Sequence, residues 1–305
     1  MKKVRIGVDV GGTTINIGTV NDDGQITEKV SIVTNALGGS DSIMNSIIEG
    51  INTLLKSLKM KSGEIKSIGL GFPGTVDSKQ GIVIFAPNIF FENVDVKTNI
   101  VKTFGCQVYL AQDSRAAAWG EFKIGEGKDC KDMAVITIGT GIGCGLILNK
   151  KIYHGANNTA GEFGHQLIDP LGPKCNCGRS GCLETFCAGL AISRAGKDIG
   201  ENISVNDVYD LAMEGNPTAL KITEQVVTYL GIGITNLINL TSIELIAISG
   251  GISNAPDKLL LDPLSKFVKN HVYPMVSNKI RIVHSSLGDN APLVGAALLD
   301  ASTEY

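Results

Sequence analysis

The stretch Gly161 to Glu184, GEFGHQLIDPLGPKCNCGRSGCLE, gathers one histidine, three cysteines and two glutamates into a short glycine-rich segment. Gly178 and Gly181 lie between the cysteines and permit a tight turn on which the sulfurs of Cys175, Cys177 and Cys182 converge. His165 upstream completes a Cys3His set, and thiolate and imidazole donors in that number suit Zn2+. Three unrelated thiols in a loop is the competing reading, and the clustering favours the metal. Zinc does not account for Glu162 and Glu184. Carboxylates held beside a closed metal site suggest that the metal shapes a second site for something polar.

Two glycine turns offer a different chemistry. Val4 to Val10 is rich in β-forming residues, contains Asp9, and runs into Gly11-Gly12-Thr13-Thr14 and a second apolar run, Ile15 to Val20. Glycines let backbone N–H groups approach a ligand closely and the threonines add hydroxyls, which are the ingredients of a phosphate cradle. Asp9 at the strand end could hold Mg2+, directly or through water. A plain β-hairpin with a glycine turn explains the same letters. The plan recurs at Met133 to Ile138, Gly139-Thr140-Gly141-Ile142-Gly143-Cys144-Gly145 and Leu146 to Leu148, an internal repeat of a supersecondary unit rather than of sequence. Neither turn is a P-loop, because no Gly-Lys-Ser/Thr follows. Gly69-x-Gly71-x-x-Gly74 spells a dinucleotide fingerprint, but Pro73 removes an N–H from the turn and TVDSKQGIVI reads as a polar hairpin instead of the required helix.

These groups need elements to carry them. A helix over Ser42 to Leu58, capped by Ser40 or Asp41, presents an isoleucine and leucine face to a core. Ile65 to Phe72 and Gln107 to Leu110 read as strands, the latter running into Gln112-Asp113 and a helix from Ala116 to Phe122. Asp113 is placed equally well to act in catalysis or to cap that helix. Further helices are expected over Leu183 to Ile199, Pro217 to Leu240, Lys258 to Val272 and Ala291 to Ala301, and strands over Glu244 to Ser249 and Ile280 to His284. Such alternation predicts an α/β protein. His154, His271 and His284 have no partner that the sequence reveals. Cys106, Cys130, Cys144 and Cys187 read as small buried residues.

The chain has 305 residues, long enough for two domains, and a formal net charge of -3. No basic tail suggests nucleic-acid binding, and no apolar run suggests a membrane span or a signal sequence. Seven cysteines with three clustered as ligands fit a reducing compartment, so a cytoplasmic protein is expected.

Taken together, Asp9-Val-Gly-Gly-Thr13, Gly71-Phe-Pro-Gly74, Asp113, Gly139-Thr-Gly-Ile-Gly143, Ala160-Gly-Glu-Phe-Gly-His165 and Cys175-x-Cys177-Gly-x-x-Gly-Cys182-x-Glu184 resemble the ROK family of sugar kinases and repressors over essentially the whole chain. The resemblance implies the two-domain actin-like ATPase (ribonuclease H-like) fold: mixed sheets flanked by helices, with a ligand cleft between domains. The small domain would be residues 1–115 plus a C-terminal helix at 291–305, and the larger one residues 116–290 with the zinc knuckle. It implies phosphoryl transfer from ATP to a hexose, at C6, with Asp113 as general base. Asp9 with Mg2+, Gly11, Gly12, Thr13, Thr14, Gly139, Thr140, Gly141 and Gly143 would hold the phosphates, and Gly250 and Gly251 the adenosine. Gly74, Asn88, Gln112, Asp113, Glu162, His165 and Glu184 would hold the sugar, His165 serving zinc and substrate together.

Gln112 stands where the family usually has Asn, which leaves the hexose open: glucose first, with fructose, mannose, allose or an N-acetylhexosamine as alternatives. Cys144 replaces a common Gly, which matters little if its side chain points into the core. A repressor is expected to carry a helix-turn-helix ahead of the Val4 strand, for which this chain has no room. A homodimer and hinge closure on the sugar are further expectations of the resemblance.

Overall fold

The computed structural model describes residues 3–304, so the expected domain ends at residues 1, 2 and 305 lie outside the described residues. In chain order the elements are β1 (Val4–Val10), β2 (Thr14–Val20), β3 (Ile26–Val33), α1 (Gly39–Ser57), β4 (Ile65–Phe72), β5 (Thr75–Asp77), β6 (Ile82–Ala86), β7 (Phe91–Asp95), α2 (Val96–Phe104), β8 (Gln107–Gln112), α3 (Asp113–Ile124), β9 (Met133–Ile138), β10 (Ile142–Leu148) and β11 (Lys151–Ile152). There follow α4 (Glu184–Cys187), α5 (Gly189–Gly196), α6 (Val205–Met213), α7 (Pro217–Thr241), β12 (Leu245–Ser249), α8 (Leu261–His271), β13 (Arg281–His284) and α9 (Ala291–Ala297).

The first sheet has the order β3-β2-β1-β4-β8 and the second the order β11-β10-β9-β12-β13. Each places its first strand centrally, with a hairpin on one side and parallel strands on the other, so the repeat read from the two glycine turns is a repeat of topology. By contacts the chain forms two units, one of residues 1–129, 145–160 and 290–305, the other of residues 130–144 and 161–289. The expected boundary at residue 115 falls within α3.

In the first unit, alternation along β1 and β2 sends Ile6, Val8, Val10, Ile15 and Ile17 into the core with Ile43, Ile47, Ile51 and Leu54 of α1. Burying each such side chain contributes roughly 1.5–3 kcal/mol. The opposite face of β1 and β4 carries Gly7 and Gly69, because α9 packs directly on the backbone there: a Cβ on Gly69 would stand 1.7 Å from the carbonyl oxygen of Ala296. α9 also packs on α3, where the Trp119 indole donates to the Leu298 carbonyl at 2.9 Å. A smaller antiparallel sheet, β5-β6-β7, forms the expected hairpin and adds a strand to it.

Several elements depart from expectation for identifiable reasons. Ser40 and Asp41 lie inside the first turn of α1, whose N-cap is Gly38, so neither caps it. The helix expected over Leu183 to Ile199 is broken at Ala188 (φ −84°, ψ 172°), because Gly189 N–H and Leu190 N–H donate to the carbonyls of Gly139 and Thr140. The helix expected from Lys258 begins as a 3-10 turn, and α8 proper carries Pro263 in its first turn, where its missing N–H costs nothing. β10 begins at Ile142, so Gly143 and Cys144 belong to the strand rather than the turn, with Cys144 buried in the core. His284 has a partner after all, donating to Asp257 Oδ1 at 2.7 Å. None of the seven cysteines is in a disulfide. Among the described residues no helix is long and apolar enough to cross a membrane.

Candidate active site

The knuckle is built within the second unit. Ile168 N–H donates to the carbonyl of Gly181, and Cys175 N–H to that of Arg179, closing a small loop. Gly181 has φ +76°, and a Cβ there would lie 1.5 Å from the Asp169 carbonyl oxygen, so only glycine fits. The candidate ligand atoms of His165, Cys175, Cys177 and Cys182 all lie within 4.8 Å of one another. Cys177 Sγ is 3.6 Å from Cys182 Sγ, and Cys175 Sγ is 3.7 Å from His165 Nδ1. Tetrahedral zinc with Zn–S near 2.3 Å requires ligand separations of about 3.7 Å, so this donor set fits the ion. The Arg179 backbone N–H, with its guanidinium, holds Cys177 down to about 6, whereas burial pushes Cys175 and Cys182 up.

Glu184 ties this knuckle to the second glycine turn. Its Oε1 accepts from Cys175 Sγ at 2.9 Å, and its Oε2 from Ile142 N–H at 3.4 Å. A Cβ on Gly141 would meet Glu184 Oε2 at 2.8 Å, so a larger residue in the turn would push that carboxylate aside. His165 has its Nδ1 toward the sulfurs and its Nε2 3.9 Å from Glu162 Oε2. The metal-facing and outward-facing ring nitrogens are thereby distinct. Glu162 itself is exposed.

Beside the same turn lies a pocket of 440 Å³ lined by Gly139, Thr140, Gly189, Leu190, Asn206 and Gly251 among others. Gly251 lines it directly. Gly250, which follows β12 at φ +88°, packs on the end of β9, where a Cβ would stand 2.6 Å from the Ile138 carbonyl oxygen. A contiguous pocket of 270 Å³ shares Asn206 and Gly251 and adds Tyr209 and Asp210. α5 and α6 form much of this lining, with residues outside the glycine turns and the knuckle. The Ser204 and Asp207 capping box at the start of α6 is the signal that would have found it.

In the first unit, the Gly11–Thr14 turn is braced by Gly11 N–H to the Thr14 carbonyl (2.9 Å) and by Thr34 Oγ1 to the Gly11 carbonyl (2.8 Å), leaving Gly12 and Thr13 exposed. Asp9 is held above the usual carboxylate range, at about 7, first by burial and then by the nearby charge of Asp113. Asn16 Nδ2 donates to its Oδ2 at 3.5 Å. Asp113 is the first residue of α3 rather than its cap: the N-cap is Gln112, and Asp113 Oδ1 accepts from Ser114 N–H (2.5 Å) and Ser114 Oγ (3.0 Å). Gln112 is buried, and its Oε1 has no hydrogen-bond partner among the described residues. Gly74 has φ +82°, and a Cβ would strike the Phe85 carbonyl oxygen at 2.2 Å. Asn88 sits exposed in the 3-10 turn Pro87–Ile89.

One residue was missed. Arg115 is 1 % exposed, and its Nη2 donates to the carbonyls of Asn158 (2.8 Å) and Ala160 (2.9 Å), fixing the loop that leads into Gly161-Glu162.

The ROK family model matches residues 5–302 of the chain. The chain belongs to the ROK family. A glucokinase of Halalkalibacterium halodurans is 33% identical over 310 residues, covering 96% of this chain and 94% of that protein. The crystal structure of a ROK family glucokinase from Streptomyces griseus in complex with glucose and AMPPNP superposes with TM-score 0.83 at 30% identity, covering 96% of this chain and 98% of the other. The expected mixed α/β fold is therefore that of ROK kinases. Repressors of the family are also similar: the xylose repressor of Bacillus subtilis is 30% identical over 292 residues, covering 95% of this chain and 75% of the repressor.

Proposed function

We propose that this ROK protein is an ATP-dependent hexokinase that phosphorylates the C6 hydroxyl of glucose. The observation that carries this reading is the similarity, over nearly the full length of both chains, to a ROK glucokinase whose structure holds glucose and AMPPNP.

On this reading Asp113 accepts the proton of the attacking hydroxyl. Its Oδ1 accepts from the Ser114 N–H and hydroxyl, which fixes the carboxylate plane. Gly74, Asn88, Gln112, Glu162, His165 and Glu184 bind the sugar. A neutral polyol is distinguished from water only by many paired donors and acceptors. Glu184 Oε2 accepts from Ile142 N–H at the phosphate turn, and its Oε1, whose Cys175 donor would give up its proton on binding zinc, is offered to the sugar.

Gly11 to Thr14 and Gly139 to Gly143 receive the phosphates, and the 440 Å³ pocket beside Gly251 takes the nucleoside. When bound, Mg2+ near Asp9 would neutralise charge that spreads over the transferred group. Zinc would be held by His165, Cys175, Cys177 and Cys182 and would fix the His165 ring, leaving Nε2 free for a hydroxyl. We further propose a cytoplasmic homodimer.

The test is ADP release with Mg2+ and ATP across glucose, mannose, fructose, allose and N-acetylglucosamine. Sugar-dependent turnover greatest with glucose is expected. No turnover above background with any of them overturns the kinase reading, and preference for another hexose overturns the glucokinase assignment. Sequence-dependent DNA retention at physiological salt would favour a repressor instead.

A further inference from the structure

Asp9, Asn16 and Ser31 stand directly opposite one another on three adjacent strands. Asp9 pairs with Asn16 across β1 and β2, and Asn16 with Ser31 across β2 and β3, so their side chains leave the same face of the sheet. The next row on that face is Gly7, Gly18 and Lys29. α9 covers it: Cβ atoms on Gly7 and Gly18 would lie 2.2 Å from the Leu293 carbonyl oxygen and 3.1 Å from Leu293 Cδ2, and Lys29 Nζ donates to Asn290 Oδ1 at 3.2 Å. The polar row is thus the first one past the ground covered by that packing.

Within it the hydrogen bonds run in one direction. Ser31 Oγ donates to Asn16 Oδ1 at 2.8 Å, and Asn16 Nδ2 donates to Asp9 Oδ2 at 3.5 Å. An amide has one donor end and one acceptor end. With Oδ1 committed to Ser31, the NH2 group faces the carboxylate; the flipped amide would set oxygen against oxygen. Among the described residues, this is the side-chain hydrogen bond that Asp9 receives.

We propose that Asn16, oriented by Ser31, is a positioning residue for Asp9, holding Oδ2 so that the rest of the carboxylate faces the phosphoryl group and its divalent cation. The inference rests on the kinase reading of Asp9 given above.

The experiment compares Asn16→Ala, Ser31→Ala, Ser31→Thr, the Asn16→Ala/Ser31→Ala double variant and Asp9→Asn in the full chain. Turnover is measured against Mg2+ concentration, and Mn2+ binding with a non-hydrolysable ATP analogue is followed by electron paramagnetic resonance. Asn16→Ala is expected to lower kcat about tenfold and weaken Mn2+ binding several-fold while leaving the sugar KM unchanged. Ser31→Ala, at an exposed position where folding is not at stake, should move both readouts the same way by about two- to threefold, and Ser31→Thr, which keeps the hydroxyl, should restore them. The double variant should be no worse than Asn16→Ala alone, because Ser31 acts through Asn16. Normal turnover and Mn2+ affinity in Asn16→Ala with Asp9→Asn inactive overturns the inference alone, as do additive effects in the double variant. An active Asp9→Asn overturns the role of Asp9 and this inference with it.

Discussion

Replacing Asp113 with Asn separates proton acceptance from every other task of this residue. Asp113 Oδ1 accepts from Ser114 N–H and Oγ, and an amide oxygen in its place keeps both bonds. Those donors then force the new NH2 group into the position of the carboxylate oxygen that would take the proton, where it can only donate. General-base catalysis contributes about 10²–10⁴-fold, which is roughly 3–5 kcal/mol of barrier. We therefore expect kcat to fall by at least about a hundredfold with sugar affinity changed by no more than a few-fold. Folding should not suffer. Asp9 is held at about 7 by burial and then by the Asp113 charge, so removing that charge relieves a repulsion and moves Asp9 back toward the ordinary carboxylate range. Melting temperature should be unchanged or higher. The assays are coupled ADP release, calorimetric sugar binding and thermal denaturation. Turnover within tenfold of the parent protein would refute the base assignment.

On the proposed zinc reading, Cys177→Ser should abolish zinc in metal analysis and raise the sugar KM by about 10- to 100-fold, because His165 would lose the ion that orients it; metal-free protein with unaltered sugar affinity would refute the shared-site reading. His154 is buried, donates through Nε2 to the Thr303 carbonyl and is pushed down to about 4, first by burial and then by the Arg115 charge. Its folded-state value lies below its ordinary 6.5, so its contribution is complete above pH 6.5 and is lost as pH falls toward 4, a decline of about 3 kcal/mol. His154→Gln should show a shallower loss of stability between those pH values in chemical denaturation. An identical pH slope would count against this account.

Sequence pattern gave β1 and β9 to the residue, because a short buried strand ending in a glycine turn has no competing reading. α2 escaped notice although Val96, Ile100 and Phe104 repeat every four residues behind an Asp95 cap, a signal that was present and brief. Other features were not legible because tertiary contacts decide them. The break at Ala188 exists because the next two N–H groups serve the Gly139 turn. Arg115 sits in an alanine-rich helix where periodicity says nothing of a guanidinium bonded to two carbonyls of a distant loop. For the site, residue type and spacing revealed the Cys3His cluster fully. They could not show that Glu184 spans from that cluster to Ile142, which depends on how Gly141 approaches it.

Gln112 is where the family pattern and the physical chemistry of this chain diverge most. It stands at the end of β8 beside Asp113, one methylene longer than the usual Asn, and its Oε1 is buried without a hydrogen-bond partner among the described residues. Leaving such an acceptor unpaired costs about 1–3 kcal/mol. If Gln112 lines the sugar site as proposed, a hydroxyl donating to Oε1 would recover that cost on binding, and the extra methylene would favour a sugar whose hydroxyl reaches this acceptor. Gln112→Asn should therefore change the ratios of kcat/KM among glucose, mannose, allose and N-acetylglucosamine by roughly tenfold, the equivalent of about 1.4 kcal/mol, with kcat for the preferred sugar much less affected. Ratios unchanged within twofold would mean that Oε1 does not read the substrate, and the choice of hexose would then have to be sought at Asn88 and Glu162.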